Sequence, residues 1–194
     1  MASLARNIAI EGCIGSGKTT TAKLLASLFK VEYLEERSSS HPFLEAFYTD
    51  VEKYALETEL AFALIHYHQL VHLDASLRCV RDFTIEKDMI FAEMNLKGSD
   101  LDLFKNQYAY LRDRLRYPTL TIILDVPLEL LVHRIKLRGR SYEKDIPPEY
   151  LANLSKRYLV AHKFLWSDTC ILKVSAGDSP EEVAQKAYEL VDAA

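Results

Sequence analysis

The stretch Asn7-Ile8-Ala9-Ile10-Glu11-Gly12-Cys13-Ile14-Gly15-Ser16-Gly17-Lys18-Thr19-Thr20 decides the fold. Asn7 to Ile10 is a short apolar run that reads as a buried strand. Beyond the glycines, Ala22, Leu24, Leu25, Leu28 and Phe29 fall at helical spacing within Thr19–Phe29. Between strand and helix, Gly12 to Thr19 match G-x-x-x-x-G-K-[ST] in the context that motif needs. The glycines let backbone N–H groups turn inward around phosphate oxygens, and the helix N-terminus adds partial positive charge. Gly12, Cys13, Ile14, Gly15, Ser16, Gly17, Lys18, Thr19 and Thr20 are therefore expected to bind a nucleoside triphosphate. Lys18 should reach the terminal phosphates and Thr19 should ligate Mg²⁺.

Working outward, apolar strand-like runs occur at Val31–Leu34, Leu77–Asp82, Thr119–Leu124 and Cys170–Val174. Helical patterns fill Pro42–Tyr48, Val51–Leu73, a short segment through Met89-Ile90-Phe91, Leu101–Arg116, Leu128–Leu137, Pro147–Trp166 and Pro180–Val191. Continuous apolar strands alternating with helices imply an α/β fold with a parallel sheet covered on both faces. No internal repeat is visible, and Ser38-Ser39-Ser40 is too short to separate domains, so residues 1–194 read as one domain.

The 194 residues carry 24 Lys and Arg against 28 Asp and Glu, a net charge of −4. Such a chain lacks the global basic footprint of a duplex-nucleic-acid or anionic-membrane binder. Cys13, Cys79 and Cys170 form neither a close pair nor a Cys-x-x-Cys, which favours a reducing compartment and argues against structural zinc. No run approaches the length needed to cross a bilayer, and the apolar part of MASLARNIAIEG is too short for a signal peptide. A cytoplasmic protein with no nucleic-acid or membrane partner is expected.

Two further clusters bear on chemistry. Arg134 and Arg138 are four apart and share a helical face; Gly139 and Arg140 then lead into a polar segment ending at Pro147-Pro148. A cationic helix end opening into a loop can close over a transferring phosphoryl group. Glu35-Glu36 follows the second strand, at the carboxyl end where open α/β sheets bind ligands. One of these carboxylates could take a proton from a substrate hydroxyl as it attacks phosphorus.

Over nearly its whole length the chain resembles the deoxyribonucleoside kinase family, a branch of the P-loop kinases. The residues that carry the resemblance are Arg134-Ile135-Lys136-Leu137-Arg138-Gly139-Arg140 with the downstream Ile146-Pro147 and Glu149-Tyr150, Ile90-Phe91-Ala92, and the run from Pro42-Phe43 through Phe47-Tyr48 to Gln69-Leu70. The resemblance implies a three-layer sandwich with a five-stranded parallel sheet and a helical lid at about residues 138–148. It implies ATP-dependent phosphorylation of a deoxyribonucleoside 5′-hydroxyl with Mg²⁺, and by analogy a homodimer.

Carried onto matching positions, Glu36 resembles the general base, with Arg37 where the family usually has proline. Tyr48 and Glu143 match positions that hold the sugar 3′-hydroxyl, and Arg134, Arg138 and Arg140 match the lid arginines. The family's base-reading glutamine and arginine, seven residues apart, are replaced by Glu59 and His66. A carboxylate offers only acceptors, which suits the N1–H and amine of guanine. The acidic-Arg-Ser motif after the third strand is missing. Asp82 should supply its acidic member near Mg²⁺, in preference to Asp125. No arginine follows it, and Arg81 or Lys87 are the substitutes. Two alternatives stand beside the nucleoside kinase: a kinase of another small hydroxylated metabolite, and a non-catalytic nucleotide-binding subunit.

Overall fold

The computed structural model describes residues 7–74 and 76–193; the start of the segment read for a leader, residues 1–6, lies outside the described residues. The elements are β1 (Asn7–Gly12), α1 (Lys18–Phe29), β2 (Glu32–Leu34), α2 (Leu44–Thr49), α3 (Val51–Val71), β3 (Cys79–Arg81), α4 (Glu86–Asn95), α5 (Gly98–Arg112), β4 (Leu120–Asp125), α6 (Leu128–Arg138), α7 (Pro148–Ala161), β5 (Thr169–Lys173) and α8 (Pro180–Asp192). The five strands form one sheet in the order β2-β3-β1-β4-β5, and every pairing is parallel.

Consecutive residues of β1 and β4 are buried rather than alternate ones, because helices cover both faces of the sheet. Ile8, Ile10, Ile122 and Ile123 form the centre of the principal core, with Leu25, Leu131 and Leu154 from the flanking helices. A second cluster, built on Phe47, Ala63, Phe83, Phe104 and Leu111, joins α2, α3, α4 and α5. Truncating Ile10 to alanine in such a core costs about 2–5 kcal/mol.

Local signals set the helix ends. Ser179 and Glu182 form a reciprocal capping box at α8, with Pro180 in its first turn. The Asp50 side chain accepts from the Lys53 N–H at the start of α3. Gly139, in the left-handed region at φ +67°, stops α6 and releases the chain into the lid.

Several element boundaries differ from the sequence expectation; α5, expected over Leu101–Arg116, spans Gly98–Arg112. The strand expected over Leu77–Asp82 pairs only over Cys79–Arg81, although the Asp82 N–H still reaches the Leu34 carbonyl at 3.4 Å. The helix expected to run to Trp166 ends at Ala161. Trp166 instead turns into the core, where its Nε1 donates to Thr84 Oγ1 at 3.1 Å. No helix among the described residues is long and apolar enough to cross a membrane.

Candidate active site

The loop after β1 is shaped by close approaches that only glycine permits. Gly12 has φ +145°, and a Cβ there would lie 2.9 Å from the Leu124 carbonyl oxygen. At Gly15, φ +81°, a Cβ would sit 3.0 Å from the Leu131 carbonyl oxygen and from Ile135 Cγ1. The loop therefore packs directly under α6. That packing brings Arg134 over the loop, where its Nη1 donates to the Ser16 carbonyl at 2.9 Å.

The loop forms one wall of a cavity of about 540 Å³. Ile14 to Thr20 line it, whereas Gly12 and Cys13 lie beneath, with Cys13 Sγ 3.6 Å from the Leu151 carbonyl oxygen. Lys18 donates to the carbonyls of Gly12 at 2.8 Å and Cys13 at 3.1 Å. Burial lowers the Lys18 pKa, opposed chiefly by the Glu11 carboxylate, which is itself raised by burial.

Asp82, at the end of β3, joins the phosphate loop to the opposite wall. Its Oδ2 accepts from Thr19 Oγ1 at 2.5 Å and from Tyr33 OH at 2.9 Å, and its Oδ1 accepts from the Glu36 N–H at 2.8 Å. Thr19 and Asp82 present adjacent hard oxygen donors, a set that fits Mg²⁺ when triphosphate oxygens and waters complete the octahedron. Asp125 does not line the cavity.

The two neighbouring glutamates separate cleanly. The Glu35 side chain is 62% exposed and reaches Lys23 at 3.4 Å. Glu36 is only 19% exposed, and its Oε1 meets Lys87 Nζ and, at 3.1 Å, His66 Nε2. His66 Nδ1 lies 2.8 Å from Asp88 Oδ2. The sequence reading set His66 beside Glu59 facing the acceptor. In the structure His66 is fully enclosed, stacked between Phe62 and Phe83, and it does not line the cavity. Seven residues at 1.5 Å each place it about 10 Å further along α3 than Glu59, past the cavity and behind Glu36.

Glu59 does line the cavity, at 2% exposure. Its Oε1 accepts from Asn95 Nδ2 at 2.7 Å, and Asn95 Oδ1 lies 3.4 Å from Tyr150 OH. Burial pushes its pKa up to about 8; the Asn95 bond and His66 oppose this and Asp88 adds to it. Tyr48 and Glu143 line the same cavity, Tyr48 stacked on Tyr142 with ring centres 5.5 Å apart. Burial raises the Tyr48 pKa well above its ordinary value, keeping the hydroxyl protonated. Glu143 is held by the lid: Arg138 pairs with one of its oxygens and Arg140 Nη1 with the other at 3.2 Å.

Of the two substitutes for the missing arginine, the structure brings only Lys87 to the site. Arg81 is 1% exposed, does not line the cavity, and its charge is answered by Glu86. Lys87 lines the cavity, and burial lowers its pKa to about 8 with Glu11 opposing. Asp88 and Asn95 were not singled out from the sequence. Glu86, Lys87 and Asp88 at the start of α4 are all buried: Glu86 pairs with Arg112, Lys87 with Glu36, and Asp88 lies against His66 Nδ1.

Comparison with known proteins agrees with this geometry. A family model described as "Deoxynucleoside kinase" matches residues 8–193. The chain is 36% identical over 187 residues to a deoxyguanosine kinase of Bacillus subtilis, covering 92% of this chain and 90% of that one. It is 34% identical over 190 residues to a deoxyadenosine kinase of Dictyostelium discoideum, covering 92% and 76% respectively. A solved structure of deoxyadenosine kinase from M. mycoides with bound dCTP superposes with a TM-score of 0.83 at 25% identity, over 97% of this chain and all of that one. The match runs from the first strand to the last helix, and the chain belongs to the deoxynucleoside kinase family.

Proposed function

We infer that this member of the family transfers the γ-phosphoryl group of ATP to the 5′-hydroxyl of a deoxyribonucleoside, preferring a purine and among purines guanine. The observation that carries the reading is Asp82, which bonds both Thr19 of the phosphate loop and the Glu36 backbone. One side chain thereby fixes the distance between the phosphate site and the carboxylate proposed as general base.

In the step itself, the 5′-oxygen attacks the γ-phosphorus while Glu36 takes the hydroxyl proton. The bond from γ-phosphorus to the bridging oxygen breaks, and ADP leaves with that electron pair. Lys18 exchanges its loop carbonyls for phosphate oxygens, and Arg134, Arg138 and Arg140 neutralise the equatorial charge. Mg²⁺, when held by Thr19 and Asp82, would add charge neutralisation at the β- and γ-phosphates. Tyr48 and Glu143 are proposed to hold the 3′-hydroxyl, and Glu59 the base edge.

Support for guanine comes from Glu59 in its ionised form, which offers acceptors only, and from the 36% identity to a deoxyguanosine kinase. We place the enzyme in the reducing cytoplasm, in keeping with its free cysteines. We propose a homodimer, in keeping with the exposed apolar side chains of Leu64 on α3 and Leu103 and Tyr110 on α5. Light scattering on the purified chain reads the dimer directly.

The testing experiment is a transfer screen with ATP and Mg²⁺ against the four deoxyribonucleosides, the ribonucleosides and small alcohols. Deoxyguanosine should be the best acceptor. Transfer only to a non-nucleoside alcohol would replace the reading.

A further inference from the structure

Two side chains of the altered acceptor site, His66 and Lys87, end on the same atom, Glu36 Oε1. His66 stands where the family has a base-reading arginine, and Phe83 where it has the arginine after the acidic residue. His66 Nε2 lies 3.1 Å from Glu36 Oε1, and Lys87 Nζ pairs with that same Oε1. Glu36 Oε2 has no hydrogen-bond partner among the described residues, and Glu36 lines the cavity. The His66 ring is held from behind by Asp88, which meets Nδ1 at 2.8 Å, and its faces are fixed by Phe62 and Phe83. A carboxylate against each ring nitrogen and an aromatic ring against the imidazole leave His66 one orientation. Phe83, the residue in the arginine's place, packs on the imidazole at 5.1 Å.

Resting on the reading of Glu36 as general base, we propose that Lys87 and His66 are positioning residues that clamp Glu36 Oε1, so that Oε2 alone is presented to the acceptor hydroxyl. In place of a cation at position 83 stands Lys87, four residues on in the first turn of α4. Lys87 Nζ pairs with Glu36 and feels the charge of Glu11. His66 has changed its task from meeting the base to orienting the carboxylate, and its enclosure leaves base reading to Glu59. A general base with one oxygen paired to Lys87 and set against the fixed His66 ring loses rotamer freedom before the substrate arrives, and that is the preorganisation proton abstraction needs. Glu35, by contrast, has at its side chain only the exposed Lys23 among the described residues.

A double-mutant cycle tests the clamp. Lys87→Met should lower kcat about 10²-fold while the KM values for ATP and deoxyguanosine stay within about threefold. In a Glu36→Gln background the same change should cost less than about threefold, because the group it positions is already gone. Lys87→Arg, which keeps a donor cation, should recover at least about tenfold of the loss. His66→Gln should couple to Glu36→Gln in the same sense. Equal losses from Lys87→Met in both backgrounds, or a kcat near wild type, would overturn the clamp. Binding of a fluorescent ATP analogue checks that each variant is folded. If Lys87→Met does not fold, Lys87→Arg and His66→Gln decide: additive losses with Glu36→Gln refute the proposal. A nearly silent Glu36→Gln would instead remove the general-base reading itself, whatever Lys87 does.

Discussion

Asn95 Nδ2 donates to Glu59 Oε1 across 2.7 Å, so the only oxygen of Glu59 that can carry a proton without losing this bond is Oε2. Protonated there, Glu59 offers one donor and one acceptor, as a glutamine would; ionised, it offers acceptors only. The groups around it are Asn95 and Asp88 from α4, His66 from its own helix and Tyr150 from α7, and burial holds its pKa at about 8. Adenine, with a ring-nitrogen acceptor beside an amine, suits the neutral acid. Guanine, with two adjacent donors, suits the carboxylate.

The ratio of kcat/KM for deoxyguanosine to that for deoxyadenosine should therefore rise as pH goes from 6.5 to 9, by about tenfold. Glu59→Gln should flatten this dependence and move preference toward deoxyadenosine and deoxycytidine. Steady-state kinetics on both proteins across that range makes the check. Ratios that do not move in either would mean that Glu59 does not meet the base.

Stability carries the same signature. The folded-state pKa of Glu59 is raised above its unfolded value, so the folded protein binds the extra proton and stability falls as pH rises from about 4.5 to about 8. Glu59→Gln removes this contribution. Urea unfolding at pH 5.5 and pH 8.5 should show the variant gaining on the wild type at the higher pH, and a constant difference would count against a buried protonated Glu59.

Thr19 and Asp82 lie 2.5 Å apart and are the proposed Mg²⁺ oxygens. Thr19→Ala should raise the Mg²⁺ concentration for half-maximal activity about tenfold, and Thr19→Ser should restore it, since the hydroxyl is the ligand. Titration of activity against Mg²⁺ reads this directly. A Thr19→Ala curve superposable on the wild type would exclude Thr19 as a ligand.

Glu36→Gln should lower kcat by about 10²–10⁴-fold with little change in KM, because the amide keeps shape but takes no proton. Glu35→Gln should be nearly silent, as its side chain lies at the surface. The reverse result would exchange the two roles.

What the sequence made legible was local. The phosphate loop, the lid arginines and the five strands are contiguous patterns whose spacing states their geometry. Glu36 was named through the resemblance, but its preference over Glu35 becomes physical only with the exposure of one and the partners of the other. His66 shares a helical face with Glu59, and spacing could not say that Asp88 and Glu36 would hold its ring outside the cavity. Lys87 could be named only as one of two substitutes, and Asp88 not at all, because their partners Glu36 and His66 lie 51 and 22 positions away. Non-local pairing of charges is the kind of information that periodicity does not carry.

The central claim, that this chain moves a phosphoryl group from ATP to a deoxyribonucleoside, is tested most directly by identifying the product. Wild-type protein incubated with ATP, Mg²⁺ and deoxyguanosine should yield ADP and deoxyguanosine 5′-monophosphate in equal amounts, with the phosphorus–carbon coupling in NMR placing the phosphate on the 5′-oxygen. Lys18→Ala should lose at least about 10²-fold of that rate while remaining folded. ADP formed without any nucleotide product, or a Lys18→Ala variant that keeps most of the transfer, would contradict the account.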